Sequence, residues 1–169
     1  SKPMSHGTYI KLYEYKLQGL KTNLILDPYN RLSLLLTNLP IPIRLYERRE
    51  TYKKANSKET TLNGLSIRLE EDRGENLESK DWPVSTMLHI DGTPIPIKIY
   101  AFKETNSGKR PTENYTKREG VIFTINGQTH GDFSKRFFTK KSVGLGNLSN
   151  SLIVIVDCTN LTTYQREEL

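Results

Sequence analysis

The stretch GVIFTINGQTHGDF, residues 120–133, decides the fold. Asn126-Gly127 at its centre readily takes the positive φ angles of a tight turn, so the β-forming run before it and the residues after it read as a hairpin. Immediately downstream, DFSKRFFTKK (132–141) reads as a helix with Phe133, Phe137 and Phe138 on its inner side, and SLIVIVDC (151–158) as an apolar strand. Upstream, VSTMLHI (84–90) and IPIKIYAFK (95–103) flank Asp91-Gly92-Thr93, a second hairpin signal.

Further out the pattern is less uniform. LNGLSIRLE (62–70) reads as strand-like. Asp27 and Pro28 suit an N-cap and a first helical position, with Leu32, Leu35, Leu36 and Leu39 sharing a face before Pro40. IPIRLYE (41–47) alternates Ile41, Ile43 and Leu45 inward against Pro42, Arg44 and Tyr46, and Pro42 confines it to an edge or a strand start. Two polar stretches, 48–61 and 103–117, read as mobile connectors. Hairpins, few helices and a closing strand predict an α+β fold, one mixed β-sheet with a few covering helices.

Composition sets the class. The 169 residues allow one domain with a core, or one domain and an attached piece, but not two full domains. Twenty-five Lys+Arg against nineteen Asp+Glu give +6, which favours anionic partners such as phosphates, nucleic acid or acidic lipid. The single cysteine, Cys158, excludes an internal disulfide and reads as a buried structural thiol, consistent with a reducing, cytoplasmic setting. No apolar run reaches the 18 or so residues of a membrane helix, and SKPMSHG is no signal peptide, so a soluble chain without membrane contact is expected.

Several chemistries find no residues. There is no GxxxxGK[ST], no GxSxG, and Gly144-Leu145-Gly146-Asn147 lacks the third glycine of a dinucleotide loop. His6, His89 and His130 are too dispersed for a metal set.

Both ends fall at the edges of elements. TYIKLYEYKL (8–17) opens a strand almost at once, and NLTTYQREEL (160–169) stops where a helix is starting. The chain is therefore expected to be an internal piece of a larger protein.

These ends carry a resemblance. HGTYIKLYEYKL (6–17) looks like the last strand of the nucleotide-binding domain of GHKL-type ATPases, with Gly7 and Thr8 in the Gly-Thr places near the phosphates. The order of GVIFTINGQTHGDF, a basic helix and SLIVIVDCTNLTTYQREEL is similar to the middle segment of the HtpG-class chaperones, and MORC-type and MutL-type members place a lysine in a comparable loop. Val156-Asp157 match the strand end, and Gln165, Arg166, Glu167 and Leu169 match a later Ser-Arg-Glu stretch, Gln165 departing from the serine.

The resemblance implies a division of the chain. Residues 1–50 would hold the final strand and linker helix of the nucleotide-binding region, and 60–169 a transducer-like domain with a ribosomal-protein-like fold, truncated at its C-terminal end. Arg166 would be the catalytic γ-phosphate sensor, with Gly7 and Thr8 beside the cofactor, ATP with Mg. The nucleotide boxes themselves are missing, so the pocket would lie in the N-terminal domain of a homodimeric parent ATPase, and Asp91-Gly92 is not the adenine-binding pair. Arg166 has a plain reading as well, a surface residue paired with nearby acids.

A second function is compatible with the charge. Arg48, Arg49, Lys53 and Lys54, or Lys135, Arg136, Lys140 and Lys141, with Arg44, could contact the phosphates of a nucleic acid. The client, DNA or protein, stays open.

Overall fold

The computed structural model describes residues 25–46, 59–71, 76–104 and 111–167. Its main body is a five-stranded mixed sheet of β3 (Val84–Ile90), β4 (Thr93–Ala101), β5 (Glu119–Ile125), β6 (Gln128–Ser134) and β7 (Leu152–Asp157), in the order β3-β4-β7-β5-β6. Neighbours are antiparallel except β5 and β7, which run parallel. A separate two-stranded sheet pairs β1 (Ile43–Tyr46) with β2 (Glu59–Leu62). Among the described residues, four short helices complete the α+β fold: α1 (Leu26–Leu35), α2 (Leu65–Glu71), α3 (Arg136–Thr139) and α4 (Thr163–Glu167).

Both hairpin turns form as the dipeptides require. Asp91 and Gly92 take φ of 48° and 80°, Asn126 and Gly127 take 51° and 77°, the left-handed pair of a two-residue hairpin loop.

The central strands divide their side chains between two cores with a period of two. On one face Tyr100, Ile122, Ile153 and Ile155 pack with Leu65, Leu69, Leu77, Phe102 and Tyr115. On the other, Val121, Val156 and Ile95 pack with Phe138, Cys158 and Leu161. Among the described residues, the first face is covered by α2 and half-buried Leu34 of α1, and the second by α3, the segment that follows it and Leu161.

Five expectations are corrected. LSIRLEE (65–71) is helix α2: Leu65, Ser66 and Leu69 are all buried, whereas the adjacent residues 65 and 66 would point to opposite faces of a strand. DFS (132–134) belongs to β6, so α3 is a single turn and Phe133 lies on the sheet, stacked at 5.1 Å on Phe137. Helix α1 begins at Leu26 with Ile25 as its cap; Ser33 is buried, whereas Leu35 is exposed and Leu36 lies past its end. In β1, Ile41 precedes the strand and is 73% exposed, Ile43 is exposed, and only Leu45 turns partly inward. Residues 111–117, read as part of a mobile connector, contain a 3-10 turn whose Thr112, Tyr115 and Thr116 are buried.

The α1 end is fastened to the body through two glycines. Gly64 has φ +84°, and a Cβ there would lie 2.7 Å from the Leu36 carbonyl oxygen and 2.8 Å from that of Thr37. Gly127 comes as close to Asn38, whose N–H donates to the Gly127 carbonyl at 2.9 Å. The Thr129 hydroxyl donates to the Leu34 carbonyl, and the hydroxyls of Thr37 and Thr129 are 2.8 Å apart. Gly64→Ala is expected to destabilise the fold by about 2–3 kcal/mol, combining left-handed strain with a backbone clash. A lowered denaturant midpoint with unchanged slope would register it; an unchanged midpoint would show that α1 is not seated there.

Candidate functional site

The β7–α4 loop positions Arg166, and its residues are tied on three sides. Asp157, at the end of β7, accepts at Oδ1 from the N–H of Thr159 at 3.0 Å and from its hydroxyl, an Asx turn. The same Thr159 Oγ1 accepts from the Asn126 N–H at 2.9 Å, which fixes the loop to the β5–β6 turn. Asn160 donates through Nδ2 to the Pro94 carbonyl at 3.1 Å, which fixes it to the start of β4. The Cys158 N–H donates to the Thr124 carbonyl at 2.7 Å, and Leu161 is buried.

Helix α4 then starts on a capping box. The Gln165 N–H reaches the Thr162 hydroxyl at 3.3 Å, while Gln165 Oε1 accepts from the Thr162 N–H at 3.0 Å. Gln165 is therefore committed to its own helix start. T-x-x-Q at 162–165 carried that signal in the sequence.

Arg166, half-buried, turns back over this loop. Its Nη2 donates to the Thr159 carbonyl at 2.6 Å, and its Nε is buried without a hydrogen-bond partner. An unmade buried N–H is costly, and Nε as placed is closed to an incoming ligand, so Nη1 and Nη2 are the donors that could face one. Among the described residues Arg166 forms no ion pair; Glu168 lies outside them. Beside α4, Ile90, Asp91, Thr93, Leu161, Thr162 and Tyr164 enclose a cleft of about 500 Å³, and Arg166 is not on its wall. Cys158 is buried, and its thiol is pushed above the usual range by burial first and by the Asp157 carboxylate second, with Arg166 opposing. A neutral, enclosed thiol is a packing group and no nucleophile.

The basic candidates separate. Lys135 is buried, its Nζ donating to the Thr116 carbonyl at 3.2 Å, and its backbone N–H to the Arg118 carbonyl at 2.7 Å. The turn from β6 into α3 aims it inward, under the 116–118 segment. Arg136, Lys140 and Lys141 are exposed, Lys140 lying 5.5 Å from the Phe137 ring centre. Arg44 donates to the Thr61 hydroxyl across β1–β2. Gly7, Thr8, Arg48, Arg49, Lys53 and Lys54 lie outside the described residues.

Lys135→Ala is expected to cost about 1–3 kcal/mol by orphaning carbonyls and removing a packed stem, and Arg136→Ala less than about 0.5 kcal/mol. Equal midpoints for the two variants in denaturant would refute the distinction.

Arg68 was not singled out by its sequence context. Its guanidinium lies 5.1 Å from the Tyr29 ring centre and 5.5 Å from that of Tyr115, and Nη2 donates to the Asn114 carbonyl at 2.7 Å. It clamps α1 and the 111–115 turn against α2. Nearby, Asn30, Arg31, Glu113, Lys117, Arg118 and Asp132 border a mixed-charge cleft of about 600 Å³. Among the described residues, no group of three His, Cys, Asp or Glu could hold a metal ion, and no helix is long and apolar enough to cross a membrane.

The chain matches no protein-family model, no curated protein and no solved structure.

Proposed function

We propose that the chain is the transducer part of a GHKL-type ATPase, in which Arg166 reads the γ-phosphate and passes nucleotide state to the sheet. The observation that carries this reading is the bond from Arg166, on α4, to a loop tied to both hairpins of the sheet, through Thr159 to Asn126 and through Asn160 to Pro94. Moving the guanidinium from the Thr159 carbonyl to a phosphate would disturb a segment with two rigid anchors. That is the geometry a coupling element needs, two arrangements differing in a few bonds.

The guanidinium also fits the ligand chemistry: it stays charged, and paired N–H donors suit phosphate oxygens. ATP bound with Mg would supply the reactive phosphoanhydride. This chain would contribute orientation and charge from Arg166, and the pocket would be built by the nucleotide-binding domain of the same protein, with Gly7 and Thr8 at its edge. In this reading residues 1–50 belong with that domain and 60–169 form the transducer. A homodimeric, cytoplasmic parent follows from the resemblance, and the buried thiol of Cys158 suits a reducing compartment.

The chain alone should show no ATP hydrolysis above background; joined to its nucleotide-binding region it should turn over, and turnover should depend on Arg166. Turnover untouched by Arg166→Ala would sink the reading.

A nucleic-acid-binding role is the second reading, favoured by the exposed Arg136, Lys140 and Lys141 on and just after one helical turn. Duplex binding by the chain that weakens steeply with salt would support it, and no binding at low salt would remove it.

A further inference from the structure

Among the described residues, nothing pairs with the outer edge of β3, and all seven of its residues are exposed. Proteins blunt such edges with charges, prolines or bulges. The opposite edge of the sheet, β6, has two register shifts, Gly131 and a charged Asp132. Strand β3, VSTMLHI, contains no lysine, arginine, acid or proline, and pairs with β4 in unbroken register from Val84 to Ile90. One edge is guarded and the other is open.

The open edge is complementary to itself. Antiparallel pairing of two copies about a two-fold axis at Met87 sets Val84 against Ile90 of the second copy, Ser85 against His89, Thr86 against Leu88, and Met87 against Met87. Even-numbered residues meet even-numbered ones, so each keeps its own face of the sheet. Val84, Thr86, Leu88 and Ile90 lie on the face of Ile99, Ile97, Ile95 and Thr93, their partners on β4. Val84, Leu88 and Ile90 are 41%, 49% and 38% exposed, so the pairing would continue an apolar face across the junction. No charge opposes a like charge along the seven positions, despite the chain's net +6.

We infer that β3 is a homodimer interface, joining two copies of this chain edge to edge into one continuous ten-stranded sheet. The interaction is isologous and uses main-chain hydrogen bonds for affinity, with side-chain pairs fixing the register. It stands independently of any role for Arg166.

Sedimentation of the full chain over a range of concentrations tests association, and site-specific cross-linking tests the register. Met87→Cys places two thiols directly opposite, with Cα atoms about 4.5–5.5 Å apart, within disulfide reach. Val84→Cys places them about 20 Å apart along the strand. The expected result is a concentration-dependent dimer that oxidation locks through Met87→Cys and not through Val84→Cys. Met87→Lys should weaken association about tenfold, and mixing it with Met87→Glu should restore it. A monomer at every concentration, cross-linking by both cysteine variants alike, or an edge occupied by an extended peptide of another protein would each overturn the inference.

Discussion

Ile153→Ala should lower the unfolding free energy by about 3–4 kcal/mol, a large part of the stability of a domain this size. Ile153 is fully buried on β7, faces Tyr100 on β4, and lies among Leu65, Leu69 and Ile122 in the better-covered core. Strand β7 is the central strand of the sheet, bonded on both sides, so its backbone has little freedom to collapse into the space left. Val154, the next residue, points to the thinly covered face and is only half-buried, so Val154→Ala should cost about 1 kcal/mol. For a chain of 169 residues the first loss corresponds to a fall in Tm of about 10 °C. Thermal unfolding of the pair distinguishes the faces: equal losses would contradict the difference in cover, and a larger loss for Val154→Ala would mean that the two cores are assigned the wrong way round.

The second large effect concerns turnover. In the parent ATPase proposed here, Arg166→Ala should reduce kcat about a hundredfold or more, since a guanidinium acting on the transferring phosphoryl group works chiefly in the transition state. Arg166→Lys should recover only part of it, because lysine offers a point charge in place of a planar fork. Thr159→Ala should reproduce a milder defect, because Asp157 and Asn126 would lose the hydroxyl that joins them while the carbonyl that holds Arg166 remains. A purely structural Arg166 would instead lower Tm in step with any loss of rate. Comparing kcat with Tm across the three variants separates the two roles.

Much of the sheet was legible because its turns are chemically specific. Asp91-Gly92 and Asn126-Gly127 both take the left-handed angles their residue types favour, and the apolar SLIVIVDC occupies the doubly bonded central position. Helix α2 was misread because LNGLSIRLE is short enough for both periods to fit, and only Gly64, with its positive φ and its seat against Leu36 and Thr37, decides where the strand stops. Phe133 was assigned to a helix because Phe137 and Phe138 follow at close spacing; pairing with Val121 of β5 keeps it in the strand.

At the candidate site, the loop and the start of α4 were legible, whereas the inward turn of Lys135 was not. In a run such as SKRFFTKK any of the basic residues could be solvated, and only the hairpin geometry selects the one that goes under the 116–118 segment. Thr159, which joins Asp157, Asn126 and Arg166, left a weak trace as the D-x-T following a strand.

The proposed role of Arg166 as a reader of the terminal phosphate is tested most directly by the affinities of the proposed parent ATPase for ADP and for a non-hydrolysable ATP analogue, measured with and without Arg166→Ala. A contact to the γ-phosphate should make the variant lose about tenfold or more in affinity for the ATP analogue while its affinity for ADP stays within about twofold. Equal losses for both nucleotides, or no loss for either, would contradict it.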